Sequence, residues 1–160
     1  MMTIMIDETS TVDESRLIVP QLAGIYRQVA SFGYVILRVV VALAFLPGGI
    51  HKMFLGEVGP TAASIAKLGF PLPLAWAWTV AGLEVVGGIF LAIGLFTRPV
   101  AFAFAIELAV IAFGIMGPRG GYFWTSGGAE VALLLGVAMI GFMFGGGGRY
   151  SIDRLIGREF

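Results

Sequence analysis

Along most of this chain apolar residues follow one another without the polar interruptions that a water-facing helix or strand requires. Four such runs stand out, over residues 33–55, 74–96, 99–116 and 127–145. Each approaches the ~20 residues that a helix needs to cross a hydrocarbon core of about 30 Å, the third being at the short end. The pattern predicts an all-α membrane protein. Because the link between the second and third runs is so short, those two spans must be antiparallel neighbours, and an antiparallel four-transmembrane-helix bundle follows. Upstream, residues 1–15 are polar and acidic and are expected to be mobile. From Arg16 to Ala30, Leu22, Ile25, Tyr26 and Val29 recur at i, i+3, i+4 and i+7, which predicts an amphipathic helix lying in the membrane interface. The loop over residues 56–73 holds helix formers from Thr61 to Leu68, stopped by Gly69 and Pro71, so a short surface helix is expected there. The expected organisation is a polar extension with an interfacial helix over 1–32, then a transmembrane domain over 33–160 that ends in a tail.

Composition agrees with a membrane setting. Charged residues make up 12% of the chain, against about 25% in an average soluble domain. A formal net charge of zero gives no electrostatic footprint for nucleic acid. Cysteine is absent, which excludes disulfides, thiolate nucleophiles, iron–sulfur clusters and cysteine-bound zinc. The N-terminus is acidic where a signal peptide is basic, so the helices themselves are expected to target the chain, with nothing removed. Arg16, Arg27, Arg98, Arg149, Arg154 and Arg158 fall on one side of a four-span topology; Lys67 and Arg119 fall on the other, with Lys52 near the membrane edge. The positive-inside rule then places both termini in the cytoplasm of a prokaryotic cell, and Trp76, Trp78 and Trp124 in the outer aromatic belt.

Ionisable groups inside the runs are the candidate chemistry, because a charge in hydrocarbon costs several kcal/mol and is expected to face the bundle interior. Counted at 1.5 Å per residue from span ends assumed level, Glu84 lies about 15 Å below the outer surface, Glu130 about 8 Å and His51 about 6 Å. On that count His51 and Lys52 reach Glu130 directly. They reach Glu84 only if Pro47-Gly48-Gly49 kinks the first helix or Lys52 extends inward. The candidate site is therefore an outer polar pocket of His51, Lys52, Glu84 and Glu130, with Trp76, Trp78 and Phe123 flanking a ring that enters from lipid. A quinone headgroup offers two carbonyl acceptors and takes up protons on reduction, which suits a cationic donor beside a histidine and carboxylate relay. The alternative for the same residues is charge pairing that holds the bundle in register. Arg38 is expected to snorkel to the inner interface. Glu107, lacking a partner in its own span, is expected to be protonated or to meet Arg38 or another subunit. One histidine and no cysteine cannot supply bis-histidine haem ligation. No metal site is assigned, so any redox role borrows its electron carrier from a partner or a diffusing quinone.

Several motifs carry a family resemblance. Arg38, Gly49-Ile50-His51-Lys52, Ala81-Gly82-Leu83-Glu84-Val85-Val86-Gly87-Gly88, Gly94-Leu95-Phe96-Thr97-Arg98 and Gly147-Gly148-Arg149-Tyr150-Ser151-Ile152-Asp153 occur in order over residues 33–155. Together they resemble the DoxX family of small four-helix membrane proteins. Pro47-Gly48-Gly49 departs from it, standing where many members have bulkier residues. That family includes small subunits associated with archaeal quinol oxidase and thiosulfate:quinone oxidoreductase, members linked to stress and redox complexes, and many with no assigned activity, so the resemblance implies no catalytic residue set. Two functions are expected on this basis. One is an accessory subunit of a quinone-linked membrane redox complex, with lipid and partner subunits as its contacts. The other is a non-catalytic anchor or scaffold. A solute transporter fits less well, since four helices leave little room for alternating access.

Overall fold

The computed structural model describes residues 17–158, and all of their regular structure is helical. The expected mobile extension over 1–15, and Arg16, lie outside the described residues. Helix α1 runs Ala23–Phe54, α2 Val58–Lys67, α3 Pro73–Ile93 and α4 Thr97–Gly120, α5 Glu130–Gly145 and α6 Ile152–Ile156. Three helical segments are long and apolar enough to cross a membrane: Phe32–Phe54 within α1, α3 and α4.

Two expectations change. The segment expected to form a separate interfacial helix continues into the first span without a break. Isolated glycines such as Gly24 and Gly33 do not stop a helix that is hydrogen-bonded on either side, and Pro47 also sits inside α1 without ending it. The fourth run yields a shorter element than expected. Trp124–Ser126 forms a 3₁₀ turn and Gly127 takes the left-handed conformation at φ 75°. This leaves 16 residues for α5, about 24 Å of helix. The surface helix in the first loop is present as α2 and stops before Gly69, which has φ 80°.

Packing follows the small residues. At Gly88 an added Cβ would stand 3.1 Å from Leu46 Cδ2 and 3.4 Å from the Ala42 carbonyl oxygen. At Gly87 it would stand 3.2 Å from the Phe104 ring. Two adjacent glycines thus bring α3 close to α1 on one side and α4 on the other, which in lipid supplies the association that the hydrophobic effect does not. Phe45 and Phe104 close the centre with ring centroids 4.1 Å apart. Helix α4 also packs along α5, where Phe104, Leu108, Ala132, Met139 and Phe142 are buried. Outward-facing Val40, Leu43, Phe102, Ile106 and Phe113 on the three long helices make an exposed apolar coat, and Leu134, Val137 and Phe144 on α5 are exposed likewise. Helix α2 lies along the first turns of α3, with Val58, Ile65, Ala77 and Ala81 buried between them.

Candidate functional site

The polar residues inside the spans fall into two clusters. The first begins at Gly48 and Gly49 of α1. At Gly49 an added Cβ would lie 2.9 Å from Glu84 Cβ and 2.7 Å from Val85 Cγ2, so the α1 backbone lies directly against this turn of α3. That contact sets the relative level of the two helices. Gly49 is five residues from the end of α1 and Glu84 is eleven from the start of α3, a stagger of about 9 Å. The assumption of level span ends therefore fails; α2 packs on the first turns of α3.

The stagger brings Lys52 to Glu84. Lys52 Nζ lies 2.7 Å from Glu84 Oε1 and 2.5 Å from Oε2, with Glu84 buried and Lys52 partly exposed. Lys52 follows Gly48 by four residues and shares its face of α1, so glycine leaves room for the pair: a Cβ at Gly48 would meet Glu84 Oε2 at 3.3 Å and Lys52 Nζ at 3.5 Å. Glu84 belongs to a π-helical turn over Leu83–Gly87. Such widened turns re-aim side chains and recur at functional sites. Glu107 of α4 is buried beside the pair and interacts electrostatically with Glu84 and Lys52. Three helices thus contribute one ionisable group each, and Glu84 and Glu107 lie near mid-span.

His51 and Glu130 are engaged elsewhere. His51 is exposed, with Nδ1 3.6 Å from Glu57 Oε1. Glu130 is the first residue of α5, and its Oε2 accepts from the Trp124 N–H at 3.2 Å while its own N–H donates to the Tyr122 carbonyl at 2.8 Å. The loop before α5 folds tightly, with Gly120 and Gly128 against its backbone, and this turns the Glu130 side chain back onto its own loop. Trp76 and Trp78 are half-exposed on α3, Trp76 edge-on to Phe70 at 6.0 Å. Phe123 is exposed and packs on Tyr122. All three aromatics face outward. Among the described residues, no three His, Asp or Glu side chains gather as metal ligands.

The second cluster is a clamp at the tail end. Arg38 is 1% exposed. Its guanidinium donates to the carbonyls of Gly147, of Tyr150 at 2.9 Å and of Ala92 at 3.3 Å. It is therefore not extended to the interface as expected, nor paired with Glu107; its donors meet carbonyls at the end of α3 and in the tail. The Tyr34 hydroxyl donates to the Gly146 carbonyl at 2.6 Å. Asp153 accepts from the backbone N–H of Phe96 at 2.8 Å and Thr97 at 3.0 Å, which caps α4. Phe96 needs that support, since its φ of 50° is left-handed. Gly94 and Gly147 both touch Ser151, whose Cβ would lie 2.6 Å from a Cβ at either position.

A small integral membrane protein, with apolar helices around an intramembrane Lys–Glu–Glu cluster and a tail clamped by a buried arginine, is what the fold and these contacts define. The DoxX family model matches residues 33–117, and the chain belongs to the DoxX family. It is similar to a Haemophilus influenzae protein named only as uncharacterized, 36% identical over 120 residues that cover 73% of this chain and 85% of the relative. It also resembles an uncharacterized membrane protein of Mycobacterium tuberculosis, 29% identical, with 77% of this chain and 80% of the relative covered. The inner membrane protein YphA of Escherichia coli is 33% identical, with 74% and 86% covered. No solved structure matches.

Sequence reasoning missed Glu107 as a partner of Glu84, because the two lie on different helices. The available signal was the Gly48/Lys52 spacing, which marks a cleared face beside a cation.

Proposed function

We propose that this protein is an accessory subunit of a quinone-linked membrane redox complex, inserted as a four-crossing antiparallel bundle with both termini in the cytoplasm. The observation that carries the functional reading is the Lys52–Glu84 pair, held within the spans beside a third ionisable group. An intramembrane charge pair is expensive and marks a functional site by default. Lys52 supplies a donor to a headgroup carbonyl, and the carboxyls supply a proton path to it. His51 and Glu57, on the exposed side of Lys52, mark the polar entrance to the cluster.

The four-crossing topology draws support from the tail clamp. Asp153 bonds the Phe96–Thr97 link, so the residues after α5 sit at the end of the bundle where α3 passes into α4. Helix α5 therefore carries the chain back along α4.

The test is quinone-dependent turnover of the complex isolated from its own membrane, normalised to the amount assembled. Glu84→Gln and Lys52→Ala are expected to lower turnover while leaving assembly intact. Unchanged turnover in both variants removes the reading. A second reading, a scaffold without chemistry, is favoured by the mutual satisfaction of Lys52 and Glu84 and by the Arg38 clamp. It requires the same variants to change the amount assembled and not the turnover per complex.

A further inference from the structure

Glu107 is buried in the centre of the bundle, and neither of its carboxyl oxygens has a hydrogen-bond partner. A buried polar group without a partner is costly and calls for an explanation. The groups that face it can be named helix by helix. From α3 comes the Glu84 carboxyl, its principal electrostatic neighbour, and from α1 comes Lys52. Helix α5 contributes none, because residues 131–145 carry no ionisable side chain and Glu130 is bonded to Trp124. On its own helix, Arg98 and Arg119 are nine and twelve residues away, about 13 and 18 Å along the axis.

The charges at this point do not cancel if both carboxyls are ionised. Lys52 is one cation, and its ammonium is already engaged by both oxygens of Glu84. Two ionised carboxyls side by side are acceptors facing acceptors, with one negative charge uncompensated inside an apolar bundle. A single proton resolves both defects. It makes the cluster neutral and turns the facing carboxyls into donor and acceptor.

We propose that Lys52, Glu84 and Glu107 form a binding site for one proton, carried by Glu107 and shared with the Glu84 carboxylate. In the transfer between them the O–H bond of Glu107 breaks and an O–H bond forms on Glu84, with no change in the charge of the cluster. Lys52, the most exposed member, is the side from which the site meets water. The site rests on these three side chains alone and needs neither a quinone nor a partner subunit.

Infrared spectroscopy tests this on the full chain in phosphatidylethanolamine and phosphatidylglycerol vesicles, without quinone. At about pH 7, where exposed carboxyls are ionised, the wild type is expected to show a protonated-carboxyl C=O band that shifts in D₂O. Glu107→Gln is expected to lose that band, and Glu84→Gln to move it by changing the acceptor. Glu107→Asp, which keeps a carboxyl at the site, is expected to retain the band at a displaced frequency; it carries the test if Glu107→Gln does not fold. Absence of the band in the wild type, or a band untouched by either substitution at Glu107, overturns the proposal. Because the measurement involves no redox turnover, it can fail while the quinone reading stands, and the reverse also holds.

Discussion

The ammonium of Lys52 lies within 2.7 Å of both carboxylate oxygens of Glu84, across the interface between the first two spanning helices. Removing one partner strands the other. Lys52→Met is expected to destabilise the protein by about 2 kcal/mol, less than for a fully buried pair because Lys52 keeps some exposure. The double variant Lys52→Met/Glu84→Gln is expected to recover much of that loss. Thermal unfolding in detergent, followed by helical circular dichroism, measures both, and additive losses would show that the two residues are not coupled.

Within the spanning helices, glycine is required where two helices touch. Gly49→Ala drives a methyl to 2.9 Å from the Val85 backbone nitrogen and is expected to cost about 1–3 kcal/mol. Gly82→Ala, where no atom lies within 4 Å, is expected to be neutral or to stabilise by up to ~1 kcal/mol through helix propensity. The same unfolding experiment compares them. Equal effects at the two positions would contradict the close approach of α1 to α3.

The carboxylate of Asp153 holds the backbone of the link that carries the left-handed Phe96. Asp153→Ala removes both hydrogen bonds to the start of α4 and is expected to cost about 1–2 kcal/mol. It should also release the tail, read as faster protease cleavage after Gly145 in detergent. Asp153→Asn keeps an acceptor oxygen and is expected to fall between the two.

Arg38 tests whether the buried guanidinium is chosen for charge or for shape. Its nitrogens reach three carbonyls in three directions. An ammonium cannot span that fork. Arg38→Lys is therefore expected to destabilise nearly as much as Arg38→Met, with tail proteolysis rising in both. Wild-type behaviour of Arg38→Lys would assign the site to charge alone.

The cysteine-free sequence allows the topology to be read directly. Single substitutions Gly59→Cys, Tyr122→Cys and Arg154→Cys place one thiol between α1 and α3, one between α4 and α5, and one in the tail. With four crossings, an impermeant maleimide added to intact cells is expected to label positions 59 and 122 and to spare 154. Labelling of 154 together with 122 would mean that α5 does not cross.

Much of the architecture was legible along the chain. Apolar runs of span length register directly in sequence, because lipid requires every backbone polar group to be satisfied within a helix and every outward side chain to be apolar. The helix formers of α2 and the burial of Glu84 and Glu107 are local or compositional signals of the same sort. The end of the fourth run near Gly127 was harder, since whether a glycine continues a helix depends on the loop that packs against it.

Which charges meet was decided by tertiary structure. Depth counted along separate helices paired Lys52 with Glu130, because it took the span ends as level. The contact of Gly49 with Glu84 staggers α1 and α3 by about 9 Å. The stagger selects Glu84 for Lys52, draws Glu107 in from a third helix and leaves Glu130 to its own loop. Likewise the buried Arg38 and the tail motif near Gly147 are more than a hundred residues apart in sequence and meet only after the chain has returned along α5. The sequence by itself determined that the protein is built of membrane-spanning helices and that Glu84 and Glu107 are buried. Their partners depend on the relative heights of helices, a property of packing between elements that no single element carries.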